Sequence, residues 1–262
     1  MFTRRSISVL FATAALLLTT HAAPALAADA PVAQPPQYAV LSLIGGGLNL
    51  VFATDRTTGS RLDNSARQTI ELPGKPFDVA AMKQIQTSLQ AVAPQREVAL
   101  FNGAPSAVAA APGSLVKDGK LQLSEPLLAA LRSSGATQLL MVTRHRQEAH
   151  IQMYQQEVGQ GRLEGIGFYV DQITKVTDRI SRETSVGFLA PFVNLQLTLI
   201  DLATARVVTE QTMSVSAPYL APDGTRGSSV WNALSPKKKL SILQAMIAHE
   251  MKRAMDTVLA RS

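Results

Sequence analysis

The residues just before the last apolar stretch have the spacing of one known catalytic motif. Ser235-Pro-Lys-Lys238 matches the Ser-x-x-Lys element of penicillin-recognising serine enzymes. The Lys-Thr-Gly and Ser-Asp-Asn elements that complete such a site do not occur in the chain, and Gly-x-Ser-x-Gly is missing too. A serine followed by proline is also typical of a helix N-terminus. We therefore predict that Ser235 caps a helix, and we predict no catalytic residue.

Histidines and glycines indicate no metal or cofactor site. His145 and His150 lie five residues apart on a predicted strand and would point to opposite faces. His249 has no second histidine four residues on, as a metalloprotease helix would. The glycines at 45–47 follow a strand but lack the lysine of a phosphate-binding loop, so we interpret them as a bend. The chain has no cysteine, which excludes thiol catalysis and disulfides.

Carboxylates distant in sequence leave one enzymatic alternative open. Asp55, Asp63, Asp171 and Glu183 could belong to an exported hydrolase whose serine and carboxylate site is assembled only in the fold. A small-ligand binder is a further alternative, which a sizeable apolar cavity would favour.

Two groups of side chains are candidates for contact with a partner. Lys237, Lys238 and Lys239 crowd the end of a predicted helix where the dipole disfavours cations. They are either a solvated first turn or a contact for an anionic surface or acidic partner. Four aromatic residues form the second group and are either an exposed anchor or part of the core, namely Phe168, Tyr169, Phe188 and Phe192.

The N-terminal segment predicts export. Arg4 and Arg5 precede an apolar run and then Ala25-Leu-Ala27, so residues 1–27 have the three parts of a signal peptide, cleaved between Ala27 and Ala28. Residues 28–37 are rich in proline and alanine and predict an extended tether. We expect a soluble periplasmic protein with no stable membrane anchor after cleavage. A net charge of +6 without a basic stripe is too mild to indicate nucleic-acid binding.

Residues 38–262 predict a single α/β (α+β) domain with a mixed, largely antiparallel sheet and about three helices. Its centre is the strand at 193–200, where apolar residues alternate with Asn194, Gln196 and Thr198, which we expect on a wet face. A turn at 201–205, with Ala205 in the place of a glycine, leads into a second strand. Helices are predicted over about 76–92, with Asp78 as cap, from Ser124 to about 134, and over a long amphipathic C-terminal segment. Residues 144–192 predict a polar excursion of strands and loops.

Two stretches resemble a family of bacterial envelope domains. Ser134-Gly-Ala-Thr-Gln-Leu-Leu-Met-Val142 and the strand, turn and strand from Asn194 to Val208 are similar to the α/β domain of the curli secretion channel, penicillin-binding-protein activators and the TolB N-terminal domain. The resemblance implies a non-enzymatic accessory domain. We therefore predict a periplasmic accessory or binding protein that contacts an envelope protein or assembly through a sheet edge or the excursion.

Overall fold

The computed structural model describes residues 37–53, 63, 65–94, 97–103, 113–153, 156–177, 184–220 and 230–261. Strands in the first part of the chain are β1 (Tyr38–Leu43), β2 (Gly47–Phe52), β3 (Ala66–Glu71), β4 (Val98–Asn102), β5 (Val116–Lys117), β6 (Lys120–Leu121) and β7 (Gln138–Arg144). Those in the second part are β8 (Arg146–Glu148), β9 (Ile151–Met153), β10 (Gln156–Val158), β11 (Arg162–Thr177), β12 (Thr184–Asp201), β13 (Arg206–Ser216) and β14 (Tyr219–Leu220). The helices are α1 (Pro76–Val92), α2 (Glu125–Ser133), a short 3-10 turn (Val230–Ala233) and α3 (Pro236–Leu259).

The long strand β12 joins two halves of one mixed sheet. Along one edge it pairs first with β11, from Thr184 to Asn194, and then with β7, from Leu195 to Asp201. The first half continues outward through β11, β2 and β3, and the second continues through β7, β1 and β4. The opposite edge of β12 pairs with β14 and then β13. Three pairings are parallel, those of β1 with β4, β1 with β7 and β2 with β11, so the predicted mixed, largely antiparallel sheet is confirmed.

Helices α1 and α3 cover one face of this sheet. The strand alternation predicted around β12 places Val193, Leu195, Leu197 and Leu199 on that face, where all four are fully buried. The apolar stripe of α3 packs on the same cluster, as expected for a helix with charged residues on its other side. We call this side the helix face.

The second face of the sheet is also covered by other segments, and the prediction that it is solvent-exposed is wrong. Asn194 and Thr198 on β12 are each only 1% exposed. Helix α2 covers the half of this face formed by β1 and β7, and residues of β9 cover the half formed by β2, β11 and β12. The polar side chains need internal partners as a result, and Asn194 accepts a hydrogen bond from the Ser214 hydroxyl at 2.8 Å.

The predicted excursion at 144–192 divides into two parts. Strand β8 turns back to pair with the first residues of β11, while β9 and β10 form a separate two-stranded sheet. The segments 162–177 and 184–192 belong to β11 and β12 of the main sheet. No helix within the described residues is long and apolar enough to cross a membrane.

Two helix caps were predicted, and the structure has one of them. Ser235 caps α3, because its hydroxyl accepts the Lys238 amide at 3.3 Å. Asp78 is not the cap of α1, where Lys75 occupies that position with a left-handed φ of 46°. The Asp78 carboxylate instead accepts the amides of Ile44 and Gly45, at 3.1 and 3.0 Å. It therefore ties α1 to the end of β1.

Candidate functional site

The four aromatic candidates for a partner contact lie inside the protein. Phe168, Tyr169, Phe188 and Phe192 are each at most 1% exposed, so the exposed-anchor interpretation is corrected to its alternative, core residues. Phe168 packs on the helix face, edge-to-face with Trp231 at 5.5 Å between centroids. Tyr169 faces the other way and stacks with Phe188 at 5.9 Å. Adjacent residues of one strand necessarily point to opposite faces, which separates the pair.

The three consecutive lysines also separate. Lys237 and Lys238 are exposed on the first turn of α3, whereas Lys239 is 5% exposed. Its ammonium donates to the Leu234 carbonyl at 2.7 Å and lies 3.8 Å from the centroid of the Trp231 ring. Burial lowers the pKa of Lys239 from its ordinary value. This lysine belongs to the core, and two of the three remain on the surface.

The two described carboxylates of the hydrolase alternative, Asp63 and Asp171, lie at opposite ends of β11. Asp55 and Glu183 lie outside the described residues. Asp171 is buried at an irregularity of β11, where it accepts the amides of Ile173 and Thr174 at 2.8 and 2.7 Å. Asp63 lines a cleft at the other end of β11, and Asp171 is not part of that lining.

Among the histidines, His150 pairs with Glu157 on the surface. The His145 amide donates to the Asn194 carbonyl at 3.0 Å, and His249 is an exposed residue of α3 beside Glu250. The structure does not bring these three side chains together as a ligand set.

A polar cleft of about 390 Å³ opens on the second face of the sheet, between the edge strand β3 and the β8 segment. We call it the arginine cleft. Guanidinium groups from four different strands dominate it, and the described residues of its lining are Asn49, Val51, Asp63, Arg67, Thr69, Arg144, Arg146, Arg162 and Glu164. Its volume falls within the range of small-molecule sites, and it is large enough to accept an acidic side chain.

Strand register places these side chains on one face. Arg67 of β3 is opposite Val51 of β2, and Thr69 is opposite Asn49, so all four point to the same side. Strand β8 borders the cleft across from β3, and its Arg146 is opposite Glu164 of β11. The cleft is therefore the space between an edge strand and a segment folded back over the sheet.

Asp63 holds one end of the cleft. Its carboxylate pairs with the Arg67 guanidinium and accepts the amides of Ser65 and Arg162, at 3.2 and 3.1 Å. Burial alone would raise the pKa of Asp63, but the hydrogen bonds from Arg67, Ser65 and Arg162 and the guanidinium charge outweigh it and lower the pKa. A side chain at Gly161 would collide with Asp63, since an added Cβ would lie 2.3 Å from Oδ1.

Glu164 organises the other end. Its carboxylate lies 2.6 Å from Arg146 Nη2 and 3.7 Å from Arg144 Nη1, and its side chain is 20% exposed. Arg162 pairs outside the lining, where its Nε lies 3.1 Å from Glu148. Such pairs restrain the long side chains, so the guanidinium groups are oriented before any ligand arrives.

Among the described residues, the lining carries four guanidinium groups and two carboxylates, which gives these residues an excess of two positive charges. Asn49 is itself held in place, because its amide donates to the Glu164 carbonyl at 2.8 Å and its oxygen accepts the Thr69 hydroxyl at 2.9 Å. Guanidinium forks fit carboxylate and phosphate oxygens in a bidentate manner. The arrangement can bind an anionic group through these guanidinium groups.

Sequence reasoning missed this cleft because its arginines are dispersed. Arg67, Arg144 and Arg162 are far apart in the chain and meet only through the pairing of β3 with β2, of β2 with β11, and of both β11 and β7 with β12. The one local signal was Arg144-His-Arg146, two cations at the spacing that places strand side chains on one face.

Comparisons with known proteins give likenesses of fold only. No protein-family model and no curated protein matches the chain. Solved structures similar to it include a Xanthomonas campestris protein of family model DUF330, with 10% identity, TM-score 0.33 and coverage of 86% of this chain and 85% of that one. Others are a PelC dodecamer from Paraburkholderia phytofirmans (12%, TM-score 0.30, 84% and 87%) and a neuraminyllactose-binding hemagglutinin homolog from Helicobacter pylori (6%, TM-score 0.33, 86% and 90%). At these TM-scores the likenesses carry no argument about function, and the resemblance to the curli and TolB type of domain stays a prediction.

Proposed function

We propose that this chain is an exported accessory protein of the bacterial envelope that acts by binding, with the arginine cleft as the contact site for an anionic group of its partner or ligand. The observation that carries the proposal is the convergence of Arg67, Arg144, Arg146 and Arg162 from four strands, with two carboxylates among the described residues of the same lining. The signal-peptide pattern of residues 1–27 supports export to the periplasm.

Partial burial of the cleft arginines makes them better suited to bind an anionic group than fully exposed surface cations are. The Arg144 side chain is 26% exposed, while Arg146 and Arg162 are more than half exposed. Exposure of the guanidinium groups therefore increases from Arg144 to Arg146 and Arg162. Hydrogen bonds to charged groups contribute roughly 1.5–3 kcal/mol, whereas fully exposed ion pairs contribute only about 0.2–1 kcal/mol. Two or three bonds from these partly exposed guanidinium groups correspond to a Kd of about 1 mM for a single anionic group.

Nuclear magnetic resonance of the arginine Nε–Hε groups tests the proposal. Residues 28–262 would be titrated at low ionic strength with inorganic phosphate and with glutarate, because salt screens exposed charges. We expect saturable shifts at Arg67, Arg146 and Arg162, and about a tenfold loss of affinity in the Arg67→Gln, Arg162→Gln double variant.

The matched control is Arg253→Gln, which removes a guanidinium paired with Glu250 on α3, away from the cleft. Arg253 and Arg132 serve as internal references in the same spectra. Equal and non-saturating shifts at all arginines would show that the cleft has no preference for anions, and the proposal would be wrong.

Export has its own test. Expression of the full chain in a Gram-negative host, followed by periplasmic extraction and mass spectrometry of the intact protein, is expected to show a mature form that begins at Ala28. Retention of the whole N-terminal segment in the cytoplasm would contradict the periplasmic assignment while leaving anion binding untouched.

A further inference from the structure

The edge strand beside the arginine cleft has hydrogen-bonding groups directed away from the sheet. Strand β3 is the last strand on its side of the sheet and pairs only with β2 within the described residues. The Leu72 amide donates to the Gly46 carbonyl at 2.9 Å, which fixes the phase of the ladder. Because the groups of an antiparallel ladder alternate, Arg67, Thr69 and Glu71 direct their amides and carbonyls outward. Five of the six residues of β3 are exposed.

The two faces beyond this edge differ in chemistry. On the cleft side, Arg67 and Thr69 alternate along β3 and border a lining with an excess of two positive charges. On the other side, Ile70 is opposite the buried Leu48 and packs against the core under α1 and α3. A strand added to β3 would therefore have one row of side chains beside guanidinium groups and the other beside an apolar border.

We infer that the partner of this protein presents an extended segment of alternating acidic and apolar residues, which adds to β3 as a further strand and places its carboxylates in the arginine cleft. The inference rests on the proposed function, since it names the class of anion that the cleft receives. Backbone hydrogen bonds along β3 give affinity, and the alternation selects the segment. The charge of the lining argues for acidic residues, and a basic segment is repelled.

The first experiment uses synthetic peptides and residues 28–262. A fluorescein-labelled seven-residue peptide of alternating glutamate and valine is compared with one in which lysine replaces glutamate, by fluorescence anisotropy. Two further glutamate peptides carry N-methyl groups, one on every glutamate amide and one on every valine amide. Both keep the charge of the parent and differ only in which edge can donate.

Strand addition requires that one of the two methylated peptides loses at least tenfold in affinity while the other binds like the parent. A glutamate opposite Arg67 points its amide at β3 in an antiparallel pairing, whereas the flanking valines do so in a parallel pairing. The sensitive peptide thus also reports the orientation of the added strand. The lysine peptide is expected to show no saturable binding.

A pair of variants tests the same edge from the protein side. Thr69→Pro removes one outward amide, and proline is tolerated on an edge strand when its nitrogen faces solvent. Thr69→Val keeps that amide, and both variants lose the hydroxyl bonded to Asn49. We expect Thr69→Pro to bind the parent peptide at least tenfold more weakly than Thr69→Val, with thermal unfolding checking that both are folded.

The outcomes separate the two claims. If both methylated peptides bind like the parent, strand addition is wrong and the cleft remains an anion site. If phosphate and glutarate bind but no peptide does, the partner class is wrong and the proposed function stands. If neither small anions nor peptides bind, both fail. A dimer of the chain alone that Thr69→Pro dissociates in sedimentation would assign the edge to a second copy and overturn the peptide inference.

Discussion

The helix face and the second face of the same sheet use charge in opposite ways. We call the second face, which carries the arginine cleft, the cleft face. On the helix face, the buried Lys239 binds the Leu234 carbonyl just before α3, and the buried Asp78 of α1 binds the Ile44 and Gly45 amides just after β1. On the cleft face, arginines at least a quarter exposed pair with carboxylates from neighbouring strands. The first arrangement satisfies charges so that the core can close, and the second keeps charges oriented but within reach of solvent.

A high density of charged residues along the sequence is therefore a poor indicator of a binding site. The densest run of cations, Lys237 to Lys239, contributes one core residue and two surface residues. The cleft contains no consecutive arginines, yet it concentrates four guanidinium groups in about 390 Å³. The comparison predicts that removing charges from the helix face changes stability, whereas removing them from the cleft changes binding.

The largest effect is expected for Asp78→Ala on the helix face. The change leaves the Ile44 and Gly45 amides without their acceptor in a site where Asp78 is 2% exposed, so we expect a loss of about 3 kcal/mol in the free energy of unfolding. Urea denaturation measures it. Asp256→Ala, an exposed residue paired with Lys252, is the matched control, expected within about 0.5 kcal/mol of the parent.

The pH dependence of Asp78 sharpens this result. Burial raises the pKa of Asp78 despite hydrogen bonds to its carboxylate and the nearby Lys75 charge. Its titration therefore favours the folded state fully below the ordinary value of 3.8, and that contribution is lost as the pH rises through the raised folded pKa. The stability difference between parent and variant is expected to shrink over that window, and a constant difference would contradict the burial argument.

Lys239→Ala is expected to cost about 2 kcal/mol, because it removes a buried hydrogen bond and the cation over Trp231. Lys238→Ala, one residue earlier and exposed, is the control and is expected to change stability by less than about 0.5 kcal/mol. Anion binding to the cleft should be the same in both. Equal stability of the two variants would remove the distinction between core and surface lysines.

Alkaline pH adds a second measurement on Lys239. Its lowered pKa means that the folded protein releases this proton before the unfolded chain does. The stability of the parent relative to Lys239→Ala should therefore rise as the pH passes the folded pKa toward the ordinary value of 10.5. Guanidinium denaturation at pH 8 and about pH 10 would show it.

On the cleft face, Asp63→Asn is expected to cost only about 1 kcal/mol in stability but to reduce anion affinity several-fold, since Arg67 loses its ion pair and a single amide oxygen replaces the two carboxylate oxygens shared by Arg67 and the backbone. The lowered pKa of Asp63 determines how its contribution to folding stability changes with pH. Its contribution is present above the ordinary value of 3.8 and is lost as the pH falls through the folded pKa. Unaltered anion titration in this variant would show that Asp63 does not orient the cleft.

The smallest effect is expected at the turn that joins β12 to β13, outside the arginine cleft. Ala205 has a φ of 53°, in the left-handed region that favours glycine, as the turn pattern predicted. Ala205→Gly is expected to raise the free energy of unfolding by about 0.5 kcal/mol, because relief of strain exceeds the loss of one partly buried methyl group. Thermal unfolding detects the change, and a lower melting temperature would mean that packing outweighs strain.

Much of the fold was predictable because its signals are local. Alternation in β12, proline and serine at the start of α3, and the apolar stripe of α3 each depend on residues within one element. The error at Asn194 and Thr198 has a different origin. Polar residues on alternate positions look solvated in a single strand, and only the packing of other segments on that face shows that they are buried.

The mixed α/β class, the helix starts and the left-handed turn at Ala205 therefore follow from patterns within single segments of the chain. Which charges meet depends instead on how distant segments pair and pack. Arg67 and Arg162 are brought to one cleft by the register of β3 on β2 and of β2 on β11, while Lys239, unlike its exposed neighbours, packs on the indole of Trp231. The physical reason is that a periodic pattern fixes the face of an element, whereas the facing partner is fixed only when distant elements pair and pack.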